Sequence, residues 1–243
     1  VDRFNKSKDN KLQEMSRRVI HDNWNEEMHL GPEKEISKIY GKEIWNIDFY
    51  GGNLNGITEK LDYIKSLGVN IILLSPIFKS SSCHKYDTGD YEVIDEMFGT
   101  NEEFKDFCRL AESMGMKVIL DAVFSYTSSD SRYFNKQGNY NEIGAYQSPN
   151  SKYHSWYKFR SYPFQYECWW GIDSKPNINA MQKSYIEYMV TNHDSIIKRW
   201  INSGASGWKL NVIDELPDEF IKLIREKLQD MNKETVLIGD IWE

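Results

Sequence analysis

The chain has 243 residues, 40% of them apolar and 14% aromatic, which is enough for one sizeable hydrophobic core. Its formal net charge is −7, and no basic stripe is visible, so we expect neither a nucleic-acid nor an anionic-membrane partner. No run of about 18 apolar residues occurs, so we predict no membrane-spanning helix. The three cysteines, Cys83, Cys108 and Cys168, are unevenly spaced. They favour free thiols, which leads us to expect a cytoplasmic location.

The first fifty residues are polar and irregular and contain no clear core strand. A helical patch is predicted over 11–20. YGGNLNG, at 50–56, predicts a turn in which Asn53 or Asn55 can cap the next helix.

From that turn onward, amphipathic helices alternate with short apolar strands that are typical of a sheet buried on both faces. A helix that follows Asn101 as its cap is predicted to end at Gly115. The predicted helices are 57–67, 101–115, 184–203 and 217–231, and the predicted strands are 69–78, 117–124, 205–213 and 235–242. This alternation predicts parallel β/α units, with four strands, or five if Val1–Phe4 is the end of one.

A long segment at 127–180, rich in Tyr, Trp, Ser and Asn, interrupts the alternation. A stretch of this length without a helix or strand pattern is more typical of an inserted subdomain or a functional loop than of a plain connection. We therefore predict three parts: residues 1–126, the inserted subdomain 127–180, and residues 181–243.

Polar side chains stand at the ends of the last two predicted strands. In GWKLNV, at 207–212, Lys209 and Asn211 share one face of the strand, because alternate side chains point the same way. Asp240 comes near the end of the next strand. Polar residues at the carboxyl ends of strands in an α/β protein commonly mark a site.

Several ordered segments resemble the α-amylase superfamily, glycoside hydrolase family thirteen, and most nearly its neopullulanase and cyclomaltodextrinase-type members. The segments are VDRF at 1–4, YGGNLNGI at 50–57, HKYDTGDY at 84–91, DAVFSY at 121–126, KPNIN at 175–179, GWKLNV at 207–212 and GDIWE at 239–243. The resemblance runs over essentially the whole chain. It implies a partial (β/α)8 TIM barrel, about strands one to five, with a subdomain inserted after strand three.

The resemblance also implies a glycosidase that acts on α-glucans with retention. That reaction uses two carboxyl groups about 5–5.5 Å apart, one as nucleophile and one as acid/base. The nucleophile position falls on Asn211, the acid/base position on Asp240, and the position of a supporting arginine on Lys209. A histidine is usual at Tyr126, and a third carboxylate, expected after strand seven, has no counterpart.

These substitutions predict a severely impaired or inactive site. The Asn211 amide is an uncharged and poor nucleophile. Lys209 keeps the positive charge but lacks the bidentate fork of arginine. Asp240 is one methylene shorter than glutamate, which moves its proton away from the leaving oxygen.

The residues that match the family's sugar-binding positions are better preserved. We expect Tyr86, Asp87 and His84 in the HKYDTGDY loop, together with Asp121 and Tyr126, to face the sugar. Trp169 and Trp170 either stack on sugar faces or form the small core of the inserted segment. Isolated residues without a partner pattern are predicted to be solvated: His21, His29, His154 and Glu215.

Calcium is a possibility that the resemblance carries, but Lys6, Asn53 and Ser125 replace or disturb the anionic oxygens such sites use, so we predict no metal. The expected partner is an α-glucan oligosaccharide such as a maltodextrin, cyclodextrin or pullulan. Two alternatives remain open at this stage: a non-catalytic binding module or remnant, and a half barrel completed by another chain. Because open sheet edges promote association, a homodimer is also possible.

Overall fold

The computed structural model describes residues 1–7, 18–28 and 46–241. Its helices are α1 (Leu54–Thr58), α2 (Leu61–Ser66), α3 (Asn101–Ser113), α4 (Lys183–Ile186), α5 (Ile196–Asn202) and α6 (Asp218–Met231). Its strands are β1 (Val19–Ile20), β2 (Asp48–Phe49), β3 (Ile71–Leu74), β4 (Phe78–Lys79), β5 (Asp90–Ile94), β6 (Lys117–Ala122), β7 (Phe159–Ser161), β8 (Gln165–Tyr166), β9 (Gly207–Leu210) and β10 (Val236–Gly239). In this part of the chain, no helix has both the length and the apolar character needed to cross a bilayer.

A four-stranded parallel sheet organises the molecule, in the order β10–β9–β6–β3. The predicted α/β class and partial barrel are confirmed, whereas residues 2–4 form a turn and not the end of a strand. The prediction that the strand after α2 is buried on both faces was wrong. Ile71 and Leu73 of β3 are 45% and 47% exposed, because they lie on the face of the sheet opposite to the helices.

Helix α3 shows how local sequence sets one β/α unit. The Thr100 hydroxyl accepts the Glu103 N–H, and the Glu103 carboxylate accepts the Thr100 N–H, so a capping box begins the helix. The cap is therefore Thr100, one residue before the predicted Asn101. The apolar face buries Phe104, Phe107 and Ala111 against the core that the helices and the sheet share.

The helix predicted over 184–203 is divided into two. Helix α4 continues into a π-helical turn at Glu187–Thr191, and the chain then turns at 192–195 before α5 begins. The turn places Trp200 of α5 in the core, where its indole N–H donates to the Tyr91 carbonyl at 2.8 Å. Periodicity alone did not reveal the break, because both halves keep apolar residues on the side that faces the sheet.

The N-terminal region contains a short parallel strand pair that the sequence did not suggest. Strand β1 pairs with β2, with Val19 opposite Asp48 and Ile20 opposite Phe49. Part of the helical patch predicted over 11–20 is thus strand at Val19–Ile20, and residues 11–17 lie outside the described residues.

His21 is buried and not solvated as predicted. Its Nδ1 lies 2.7 Å from Glu26 and its Nε2 lies 2.7 Å from Asp48, while its ring stacks on Tyr50 at 4.7 Å. His154 is partly buried and stacks on Phe159 at 5.0 Å. His29 lies outside the described residues. A histidine between two carboxylates is suited to hold its proton.

The His21 contacts predict a pH-dependent contribution to stability. Burial lowers the pKa of His21, but hydrogen bonds to Asp48 and Glu26 outweigh it and raise the pKa above its usual value. The stabilisation is therefore complete below the unfolded pKa of about 6.5 and is lost as pH rises through the folded pKa. We expect His21→Gln to lower the unfolding midpoint in urea at pH 6 more than at pH 9. An equal loss at both pH values would contradict this assignment.

The segment at 127–180 folds around its own aromatic cluster. The β7–β8 hairpin places Phe159 and Tyr166 against Phe134, at centroid distances of 5.9 and 4.7 Å. Backbone bridges join Tyr126 to Asn177 and Tyr157 to Ile178, so the segment leaves and rejoins the sheet at the same place. The boundaries 127 and 180 remain a prediction.

Candidate active site

The ends of β6, β9 and β10 bring four candidate residues together. The Lys209 ammonium lies 2.9 Å from Asp121 Oδ2, 2.8 Å from Asp240 Oδ2 and 3.3 Å from Asn211 Oδ1. Asp121 and Lys209 are direct neighbours in the parallel register of β6 and β9, so their side chains share a face. The predicted convergence of polar residues at the strand ends is thus seen in the structure.

Asp240 is engaged through both carboxylate oxygens. Its Oδ2 pairs with Lys209, and its Oδ1 accepts the Val212 backbone N–H at 2.8 Å. The backbone of Val212 is left-handed, with φ 53°, and this directs its N–H towards β10. A carboxylate held in this way pairs with a cation and stabilises the turn that follows β9.

One ammonium serves two carboxylates at this site. Burial alone would lower the pKa of Lys209, but its hydrogen bonds to Asp240 and Asp121 raise the pKa above the usual value. Burial raises the pKa of Asp121, and the nearby Asp240 charge adds to this effect, while Lys209 opposes it. Among the residues that the structure describes, none donates to Asp121 Oδ1, which is buried. It therefore lacks the donor that a buried carboxylate oxygen usually has.

The loop at 84–91 carries the predicted sugar-facing residues to the same place. The Tyr86 hydroxyl donates to Asp121 Oδ2 at 3.3 Å. Asp87 Oδ1 accepts from the hydroxyls of Ser80, at 2.8 Å, and Ser82. His84 Nδ1 accepts the Tyr86 N–H at 3.1 Å, and burial lowers the pKa of His84, which favours a neutral imidazole.

A buried ion cluster that the sequence did not suggest supports this loop. Lys85, fully buried and with a left-handed φ of 62°, places its ammonium 2.8 Å from Asp95 and 3.0 Å from the Ser80 carbonyl. Arg18 pairs with the same carboxylate at 3.0 Å. These buried contacts hold the Lys85 side chain and thereby fix the backbone between His84 and Tyr86.

Tyr126 and the tryptophan pair form a second part of the site. Tyr126 is buried and its ring centroid lies 5.1 Å from that of Trp169. Trp169 and Trp170 stack at 4.6 Å with an interplanar angle of 10°. Both indole N–H groups donate to Glu215, at 2.7–3.0 Å. Glu215 was predicted to be solvated, which was wrong because it joins the inserted segment to the end of β9.

The residues at the predicted calcium positions do not fit a hard cation. The Asn53 side-chain oxygen accepts the Gly56 N–H at 2.7 Å, and its amide donates to Ser7. Ser125 offers only a neutral hydroxyl. Over residues 1–7, 18–28 and 46–241, no group of three or more His, Cys, Asp or Glu side chains could hold a metal. Calcium prefers anionic oxygens, and this donor set lacks them.

Comparison with known proteins agrees with this arrangement. The model of the alpha amylase catalytic domain matches residues 1–240. An amylopullulanase of Thermoanaerobacterium saccharolyticum is 40% identical over 242 residues, which cover 92% of this chain and 19% of that protein. A cyclomaltodextrinase of Thermoanaerobacter pseudethanolicus is 31% identical over 222 residues, with coverages of 86% and 36%.

The fold agrees as well. The cyclic α-maltosyl-(1→6)-maltose hydrolase of Arthrobacter globiformis, solved in complex with that sugar, superposes with a TM-score of 0.72 and 27% identity. The superposition covers 81% of this chain and 43% of that one. This chain thus spans less than half the length of each of these three relatives. The resemblance to cyclomaltodextrinase-type enzymes is confirmed, and the chain belongs to the α-amylase family of α-glucan-acting glycosidases.

Proposed function

We propose that this chain binds α-glucan oligosaccharides without hydrolysing them. The observation that carries the proposal is the Asp121–Lys209–Asp240 ion cluster beside Asn211. The position of the nucleophile is an amide, and the carboxylate that would act as acid is paired with an ammonium. A double-displacement reaction needs a carboxylate nucleophile and a carboxylic acid that can donate its proton, and neither group is in place here.

Several groups suited to sugar recognition remain accessible next to that cluster. Tyr86 presents a half-buried ring against which a pyranose can pack. Asp87 and His84 lie at the rim of the same loop, 3.8 Å apart. The ligand class is inferred from the relatives, whose names include pullulan- and cyclodextrin-acting enzymes and a hydrolase solved with a cyclic maltosyl-maltose.

We expect millimolar affinity for maltotriose, about −4 kcal/mol, because only part of a binding cleft is formed by the described residues. Tyr86→Ala should weaken binding about tenfold, ~1.4 kcal/mol, because it removes the ring and the hydroxyl that positions Asp121. Titration followed by calorimetry and by protein chemical shifts measures both values.

Tyr63→Ala is the matched control, because Tyr63 is 56% exposed on α2 and is not among the residues of the site. It should bind maltotriose like the unmodified chain. Absence of heat and of shift changes with maltose, maltotriose and β-cyclodextrin would reject the binding function.

A further inference from the structure

We propose that the outer face of the Trp170 indole is a subsite for one pyranose ring of a neutral α-glucan, and that Glu215 is its positioning residue. This inference rests on the proposed function and extends it to the inserted segment. It assigns different tasks to Trp169 and Trp170, which the sequence alone does not distinguish.

Trp170 is accessible in a way that a core residue is not. Its side chain is 68% exposed, although tryptophan is usually among the more buried residues. Its backbone has φ 50° and ψ 30°, in the left-handed region that a bulky residue rarely adopts. Such conformations persist only where surrounding contacts hold them, and they are concentrated at ligand-binding places.

Glu215 supplies the holding contact. Its carboxylate accepts the Trp169 indole N–H at 2.9 and 2.7 Å and the Trp170 indole N–H at 3.0 Å. Charge-assisted hydrogen bonds of this kind fix direction as well as distance. Both rings are therefore anchored by their edges, and the plane of Trp170 is set before any ligand arrives. A ring that is already oriented loses less entropy on binding.

Only one of the two rings has a face to offer. Trp169 is covered on one side by Trp170 at 4.6 Å. The Lys175 ammonium lies 4.4 Å from the Trp169 ring centroid, and Tyr126 packs against the same ring at 5.1 Å. Trp170 shares its inner face with Trp169 and leaves the outer face uncovered by the described residues. The sequence suggested two stacking rings, whereas the structure leaves one.

The tryptophan pair is connected to the sugar-facing groups of the barrel. Tyr126 connects them, because its ring contacts Trp169 while its backbone belongs to the segment that follows the end of β6 at Ala122. Burial raises the pKa of Tyr126, and the charges of Asp87 and Glu215 raise it further. We expect an oligosaccharide that packs on the Tyr86 ring to extend along this side of the molecule towards the outer face of Trp170.

The indole face of Trp170 and the charge of Glu215 favour a neutral sugar. The flat face of an indole is electron-rich and matches the C–H face of a glucopyranose. The Glu215 carboxylate at the N–H edges of the two rings disfavours an acidic or phosphorylated sugar. The Lys175 ammonium already lies over Trp169 and Tyr126.

The first test measures β-cyclodextrin and maltotriose binding by Trp170→Ala. We expect about tenfold weaker binding than that of the unmodified chain, because one stacked ring is lost. Phe164→Ala is the matched control, because Phe164 is an aromatic residue of the same segment, 79% exposed, whose ring contacts Tyr146. It should leave affinity unchanged. Unchanged far-ultraviolet circular dichroism verifies that each variant is folded.

The second test asks whether Glu215 acts by positioning. Two stacked indoles produce an exciton couplet in circular dichroism, which a merely structural role elsewhere would not change. Glu215→Leu should abolish the couplet and weaken binding as much as Trp170→Ala does. Glu215→Gln, which keeps one acceptor oxygen, should retain part of both signals.

The outcomes separate this inference from the proposed function. If the unmodified chain binds and Trp170→Ala binds equally well, the subsite is overturned while the proposed function stands. If Glu215→Leu loses the couplet but not affinity, or keeps the couplet, the positioning role is overturned. If the unmodified chain binds no α-glucan, the proposed function and the subsite fall together.

Discussion

The purified chain should release no reducing sugar from maltotriose or β-cyclodextrin above the uncatalysed background. The reason is the covalent route itself, since an amide at Asn211 cannot readily form and release a glycosyl intermediate. The shorter Asp240 adds a positioning loss that alone would cost on the order of 100-fold. Its carboxylate is also held by Lys209 and by the Val212 N–H. A reducing-sugar assay over long incubation measures this.

Reverting the substituted positions to the family residues should have strongly non-additive effects on activity. Asn211→Asp alone should restore little, because the new carboxylate would join an ion cluster in which one ammonium already serves two acids. Combining it with Lys209→Arg and Asp240→Glu restores the three family residues but not the carboxylate expected after strand seven. We expect activity only when these three changes are combined with the remaining barrel strands. Turnover that co-purifies with the unmodified chain and disappears in Asp240→Asn would contradict this.

The second large effect concerns the ion cluster beneath the site loop. Asp95→Ala should cost about 3–5 kcal/mol in the free energy of unfolding, because it leaves buried cationic groups without their carboxylate. The Lys85 and Arg18 side chains are 1% and 8% exposed, and Asp95 also accepts the Ser80 N–H at 3.0 Å. Urea unfolding at pH 7 measures the loss, with Glu96→Ala as the control. Glu96 is 51% exposed and 3.9 Å from Arg18, so its removal should have little effect.

The same cluster of Lys85, Asp95 and Arg18 predicts how the free energy of unfolding changes at acid pH. Burial raises the pKa of Asp95, but Lys85 and Arg18 outweigh it and hold the pKa below the usual value. A depressed folded pKa means that the contribution is complete above the unfolded pKa of about 3.9 and is lost as pH falls through the folded pKa. The stability difference between the unmodified chain and Asp95→Ala should therefore narrow below pH 4. A constant difference from pH 7 to pH 3 would contradict this.

Local patterns predicted much of the fold. Short apolar runs flanked by amphipathic helices are sufficient to indicate parallel β/α units, and the strands around Val118, Leu210 and Leu237 lie where those runs occur. The breaks were less visible. The turn at 192–195 and the strand pair β1–β2 depend on contacts made after the chain has folded, which periodicity does not record.

The residues of the site also fall into those that the sequence predicts and those that it does not. Asp121, Lys209, Asn211 and Asp240 could be predicted, because strand ends of a parallel sheet meet at one edge. Glu215 could not, because its partners Trp169 and Trp170 are about forty-five residues earlier in the chain. The sequence offered one usable signal for Lys85: a lysine between His84 and Tyr86 within a loop that otherwise presents polar groups to a ligand.

The left-handed backbone at Val212 joins the end of β9 to the residue that follows β10. A β-branched residue at φ 53° is strained by roughly 1–3 kcal/mol, and nothing in an ordinary strand end requires it. The turn follows Asn211 directly and is held by two bonds to Asp240: the Val212 N–H to its side chain and the Ile213 N–H to its carbonyl at 3.0 Å. The main chain thus holds a costly conformation directly after Asn211. Asp240 supports that conformation through its side chain while it also pairs with Lys209, so replacing it would change the backbone beside Asn211 as well as the charges of the site.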